Sequence, residues 1–161
     1  MIKVLFVCLG NICRSPLAEA IFNHKVKNLG LQPYFKSDSA GTSDYHIGEL
    51  PDERTIRCAQ SNKIDINHRS RQVNRVDFRE FDYILAMDQQ NLQNLNQMKT
   101  KYGFGEKEIY LIRDFVEGSQ GQPVPDPYYG GEEGFHEIFQ ILDEAIGHFL
   151  NTIQERHRIY A

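Results

Sequence analysis

Cysteine is scarce in this sequence: 3 residues in 161, at positions 8, 13 and 58. Three thiols cannot all pair, and a chain of this length builds a core without a disulfide framework. Long apolar runs are missing too. The stretch Val4 to Leu9 is too short for a signal-peptide core, and nothing approaches the length of a membrane span. The cytoplasm is the expected compartment and no membrane partner is expected. Basic charge is not in excess, since the formal net charge is −4. That argues against a non-specific nucleic-acid binder, although His68-Arg69-Ser70-Arg71 is a local basic cluster. Neither an internal repeat nor a linker interrupts the chain. One domain over residues 1–161 is expected, with 155–161 a polar, frayed end.

What the chain does have is alternation. Ile2 to Cys8 is nearly continuously apolar and β-branched, which suits a strand buried on both faces. Asp82 to Met87 and Glu108 to Ile112 read the same way, and Tyr34 to Ser39 reads as a weaker, more polar edge strand. Helices are expected at Pro16 to Lys27, Pro51 to Asn62, Asp88 to Lys99 and Gly134 to about Glu155, the last carrying an apolar stripe from Phe135 to Ile153. Pro16 and Pro51 suit a first helical turn, with Ser15 as the N-cap before the former. Buried strands alternating with helices imply an α/β fold with a parallel sheet covered on both faces. In such sheets ligands bind beyond the carboxyl ends of the strands. Cys8 stands at one such end. Glu117 to Gly134, with Pro123, Pro125 and Pro127, is a long loop of the kind usually kept for function.

After Val7 the chain runs Cys8-Leu9-Gly10-Asn11-Ile12-Cys13-Arg14-Ser15-Pro16 and enters a helix. A strand, a glycine-containing turn and a helix N-terminus aim backbone N–H groups into one concavity, which is an anion site. Neither G-x-x-x-x-G-K-[ST] nor G-x-G-x-x-G is present, so this is no nucleotide or dinucleotide loop. Arg14 can hold two phosphate oxygens with its planar fork. Cys8 at the floor would face the helix N-terminus, the N–H groups and the guanidinium, all of which favour the thiolate. Ser15 can hydrogen-bond the sulfur. Cys8 and Cys13 lack the matching Cys/His pair of a structural zinc site, and no metal or cofactor is expected.

The stretch Val7 to Pro16 resembles the signature of low-molecular-weight protein tyrosine phosphatases. The resemblance extends through Asp38-Ser39-Ala40-Gly41-Thr42, Asn67-His68-Arg69-Ser70-Arg71-Gln72, Phe81 to Asp88, and Asp126-Pro127-Tyr128-Tyr129-Gly130. It implies a single three-layer domain with a four-stranded parallel sheet flanked by helices on both faces. It also implies a cysteinyl-phosphate mechanism without a metal, acting on phosphotyrosine-containing protein substrates. Cys8 would be the nucleophile and Arg14 the phosphate clamp.

Transfer to Cys8 requires a proton for the departing phenolate, and a carboxylic acid on a facing loop can supply it. Asp126, held extended by Pro127, reads from composition as a surface turn residue; the resemblance makes it the general acid and base. Leu9, Gly10, Asn11, Ile12, Cys13 and Ser15 would contact substrate or phosphate, with Tyr45, Tyr128 and Tyr129 walling the entrance. His46 reads as solvated. Ser39 and His68, with Asn11, resemble the network that supports the loop, and Asp88 serves as a helix cap or polar support. Cys13 is a candidate redox guard that captures an oxidised Cys8 as a disulfide.

Three other readings share these residues. An arginine phosphatase on this scaffold would carry threonine at position 12, where this chain has Ile12. An arsenate reductase would need a cascade of further cysteines, and Cys58 has no partner nearby. A catalytically silent phosphotyrosine-binding module would lack a reactive group, yet Cys8, Arg14 and Asp126 are all present.

Overall fold

The structure is a computed structural model, and it describes residues 1–160. Its centre is β1 (Ile2–Cys8), which pairs in parallel with β2 (Phe35–Gly41) on one side and β3 (Tyr83–Ala86) on the other; the short β4 (Tyr110–Leu111) completes a sheet of order β2-β1-β3-β4. The apolar run of β1 is used on both faces. Val4, Phe6 and Cys8 belong to one core, Leu5 and Val7 to the other. The first core is closed by α1 (Arg14–Asn28), α2 (Glu53–Ser61) and α5 (Glu132–His157), with Phe22 and Phe149 wholly buried. The second is closed by α3 (Arg75–Glu80) and α4 (Gln89–Lys101), through Phe78 and Leu95. The expected three-layer α/β fold is therefore the one adopted, with β2 at an edge.

Several boundaries differ from the expectation, each for a local reason. Helix α1 begins at Arg14 with Cys13 as its N-cap, so Ser15 lies inside the helix with its hydroxyl used elsewhere. Helix α2 starts after Asp52, whose carboxylate accepts from the Arg54 N–H at 2.9 Å; Pro51 stays outside. Beyond β4 the chain enters a 3-10 turn over Ile112–Phe115 rather than a longer strand. The segment from 155 onwards is not frayed through its length, because α5 continues to His157. There Nε2 meets the Tyr83 hydroxyl at 2.7 Å, and Arg156 donates to the same oxygen at 3.3 Å. Ala161 lies outside the described residues. No helix among the described residues is long and apolar enough to cross a membrane.

The neighbours of β1 lie on opposite sides, so the crossovers diverge at its carboxyl end and leave a crevice there. Into that crevice the loop after β1 is folded.

Candidate active site

The loop from Cys8 to Cys13 is held by its carbonyls. The Cys8 carbonyl accepts from Thr42 N at 2.9 Å, and that of Leu9 from Ser43 N and Oγ at 3.0 and 2.9 Å. The Gly10 carbonyl accepts from Ser70 Oγ at 3.0 Å, and that of Ile12 from Asp52 N at 2.8 Å. In a trans peptide the N–H points away from the C=O, so tying the carbonyls outward turns the following N–H groups toward the loop's interior. Asn11 supplies the bend with a left-handed backbone, φ 57°. Gly41, at the end of β2, makes room. A Cβ there would sit 2.7 Å from the Leu9 carbonyl oxygen and 3.2 Å from Asn11 N.

Side chains behind the loop form a buried polar network. Asn11 Nδ2 donates to Ser15 Oγ at 2.8 Å and to Ser39 Oγ at 3.0 Å. Asn11 Oδ1 accepts from His68 Nε2 at 2.7 Å and from Arg71 N at 3.0 Å. Since Ser15 Oγ already accepts from an amide, its one proton can be donated either to Cys8 Sγ, 3.0 Å away, or to the more distant Ala40 carbonyl at 3.5 Å. Ser39 Oγ donates to Glu19 Oε1 at 2.7 Å. Burial pushes the Glu19 carboxyl up to about 7, opposed by the Ser39 hydrogen bond. Burial also holds the His68 imidazole below its ordinary value, opposed by Asp38. Glu19, Asp38 and His68 converge closely enough to hold a cation, but each is already engaged by Ser39, Arg71 or Asn11.

Arg14 is 3% exposed. Its Nη1 donates to Asp88 Oδ2 at 2.7 Å and to the Val124 carbonyl at 3.0 Å, while Nη2 lies 3.7 Å from Asp126 Oδ2. Burial acts to lower its pKa, yet the nearby Cys8, Asp88 and Asp126 raise it overall, so the cation is fixed in place. Asp88 is both helix cap and support, because its other oxygen accepts from Asn91 N at 2.8 Å. Val124 is wholly buried and donates to the Met87 carbonyl at 2.8 Å, which anchors the loop that presents Asp126. Asp126 Oδ1 accepts from Tyr128 N at 3.0 Å.

These groups surround a cavity of about 250 Å³ lined by Cys8, Leu9, Gly10, Ile12, Cys13, Arg14, Tyr45, His46, Asp126, Tyr128 and Tyr129. Larger depressions, about 470 Å³ between α1 and α5 and about 810 Å³ along α4, gather no comparable set of nucleophile, cation and acid. The side chains of Asn11 and Ser15 do not line the cavity; both are fully buried and act from behind, which leaves only their main-chain N–H groups to meet a phosphate. His46, which read as solvated from the sequence, does line it, its Nδ1 paired with Glu49 Oε2 at 2.8 Å. Cys13 is buried, and burial followed by the nearby Asp52 pushes its thiol up to about 12. Glu19, Gly41, Ser43, Asp52 and Ser70 are further contributors that the sequence did not single out.

The profile of the family described as low molecular weight phosphotyrosine protein phosphatase matches residues 3–158. The chain belongs to that family. It is 42% identical over 153 residues to the low molecular weight phosphotyrosine protein phosphatase of Schizosaccharomyces pombe, covering 94% of this chain and 97% of that one. A crystal structure of a protein tyrosine phosphatase from Entamoeba histolytica, with Hepes in its active site, superposes with a TM-score of 0.89 at 40% identity, over 98% and 99% of the two chains. A drosophila arginine phosphatase superposes with a TM-score of 0.90 at 34% identity, over 95% and 98%.

Proposed function

We propose that this chain is a protein tyrosine phosphatase of the low-molecular-weight family, working as one domain on phosphotyrosine-containing proteins of the cytoplasm. The observation that carries the reading is the convergence of Cys8, Arg14 and Asp126 on one small cavity with an aromatic mouth. The phosphate of the substrate sits in the loop, its oxygens taken by the inward N–H groups and the Arg14 fork. The Cys8 thiolate attacks phosphorus, the P–O bond to the phenol breaks, and Asp126 passes its proton to the departing oxygen. The S–P bond of the intermediate then breaks when water attacks. Asp126 takes the water's proton, phosphate leaves, and the Ser15 hydroxyl stabilises the returning sulfur anion.

Tyr45, Tyr128, Tyr129 and Leu9 are 72%, 37%, 91% and 38% exposed, an unusual concentration of uncovered apolar surface around one opening. It fits a flat phenyl group entering on its edge. The side chain of Ile12 adds a purely apolar contact where a guanidinium would need acceptors, and this favours phosphotyrosine over phosphoarginine. The test compares phosphotyrosine, phosphoarginine and phosphoserine peptides on the parent protein and on Asp126→Asn. Phosphotyrosine should be preferred, and Asp126→Asn should lose about 10²–10⁴ in turnover of phenyl phosphate. A preference for phosphoarginine, or undiminished turnover in the variant, would overturn the corresponding part of the reading.

A further inference from the structure

The nucleophile loop and the loop bearing Asp126 come from chain segments more than a hundred residues apart, yet their spacing must be held to a fraction of an ångström for proton transfer. Arg14 meets Asp126 at only 3.7 Å, which does not fix it. A second connection runs outside the cavity. Ile12, in the nucleophile loop, accepts from Asp52 N at 2.8 Å. The Asp52 carboxylate takes a two-point hydrogen bond from Arg54, Nε to Oδ1 at 3.0 Å and Nη2 to Oδ2 at 2.9 Å. Arg54 in turn donates from Nη1 to the Gly130 carbonyl at 2.8 Å and from Nη2 to the Tyr128 carbonyl at 3.0 Å. Its guanidinium carbon stands 4.7 Å above the Phe135 ring, at the start of α5. Tyr128 N closes the path on Asp126 Oδ1.

We propose that Arg54 is a positioning residue for the reaction, the centre of a strut through Asp52 that sets the distance between the nucleophile loop and the Asp126 carboxyl. The proposal rests on the assignment of Asp126 as the general acid. Four of the five N–H donors of the fork are used, on both carboxylate oxygens of Asp52 and on the Tyr128 and Gly130 carbonyls of the loop that bears Asp126. A lysine at this place could reach one of these partners but not span them. The strut passes along a depression of about 500 Å³ shared by Ile12, Asp52, Arg54 and Tyr128, so it lies beside the catalytic cavity and touches no reacting atom.

The test reads the leaving group. Phenyl phosphate departs as a basic phenolate and depends on the acid; 2,4-dinitrophenyl phosphate departs without a proton. Measured as the single-turnover release of the phenol, which reports phosphoryl transfer before the Asp126-assisted hydrolysis common to both esters, Arg54→Ala should slow phenyl phosphate by up to about 10²-fold, the cost of a misplacement near 1 Å, while slowing the dinitrophenyl ester far less. Combined with Asp126→Asn, it should add no further loss. Where Arg54→Ala does not fold, Arg54→Lys is read in the same way, and the same ratio of the two substrates is expected. Equal losses on both substrates, or losses that multiply in the double variant, would overturn the strut. Asp126→Asn measured on the same pair separates the failures. If it shows the leaving-group bias and the Arg54 variants do not, only the strut falls; if neither does, the acid assignment falls and the strut with it.

Discussion

Cys13 shows how much a residue's role depends on its protonation. Burial and Asp52 keep its thiol protonated to about 12, so it does not compete with Cys8 as a nucleophile or as the first target of peroxide. It lines the same cavity as Cys8 and can respond only after Cys8 has been oxidised to the sulfenic acid. As a guard, the Cys13 thiol would then condense with the sulfenic acid, forming an S–S bond and releasing water. Mild peroxide should therefore inactivate the enzyme in a way that added thiol reverses, and Cys13→Ser should recover less. Equal recovery in the two proteins would remove the guard role. Cys8 and Arg14 were legible in the sequence because reactive types stood in an unusual arrangement, whereas Asp126 read as a surface turn residue and became a candidate only through the family resemblance. Glu19 was not legible, since a glutamate in an amphipathic helix looks the same whether it faces water or a buried serine. Ser43 and Ser70 were equally silent, because their partners lie 34 and 60 residues away.

Among the elements, β1 was the easiest to read, its unbroken apolar run being the mark of a strand covered on both sides. Helix α3 was missed. It has six residues, of which only Asp77 and Phe78 are buried, and so few turns leave no period to detect. What specifies it instead is a capping box, Asn74 accepting from Asp77 N while Asp77 accepts from Asn74 N. The end of β2 has a demand that no propensity shows. Gly41 lies directly against the nucleophile loop, and a methyl group there must displace the Leu9 carbonyl from 2.7 Å. Gly41→Ala should cost about 1–3 kcal/mol in unfolding free energy by overpacking. It should also lower turnover, since the displaced carbonyl is one of those that orient the cradle. Denaturant unfolding and phenyl phosphate kinetics measure the two effects, and a variant unchanged in both would contradict the close approach.

For the molecule as a whole, the polar network behind the site makes stability depend on pH. A Glu19 carboxyl raised from 4.5 to about 7 favours folding in its neutral form. Its contribution is complete below pH 4.5, where it is protonated folded or unfolded, and it is lost as pH rises through about 7, where the folded protein must carry a buried carboxylate. Glu19→Gln removes that titration. The melting temperature of the variant relative to the parent should therefore rise across pH 4.5 to 7 and level off above it. A constant difference across that window would show that Glu19 does not titrate there. The overall architecture was legible because it follows from alternating apolar segments. The crossing of distant segments at the site was not, because it depends on tertiary packing that leaves no local pattern.

The carbonyls of the nucleophile loop are held by Thr42, Ser43, Asp52 and Ser70, and Arg14 by Asp88 and Val124. None of these partners is a sequence neighbour of the loop it holds; the Arg14 to Val124 contact alone closes 110 residues. Contacts of such separation form only after the intervening chain has been ordered, since loop closure must be met before they return any stabilisation. The cradle around Cys8 is therefore complete only when all of these distant segments are in place, so the site is a product of the whole fold rather than of the loop that carries the thiol.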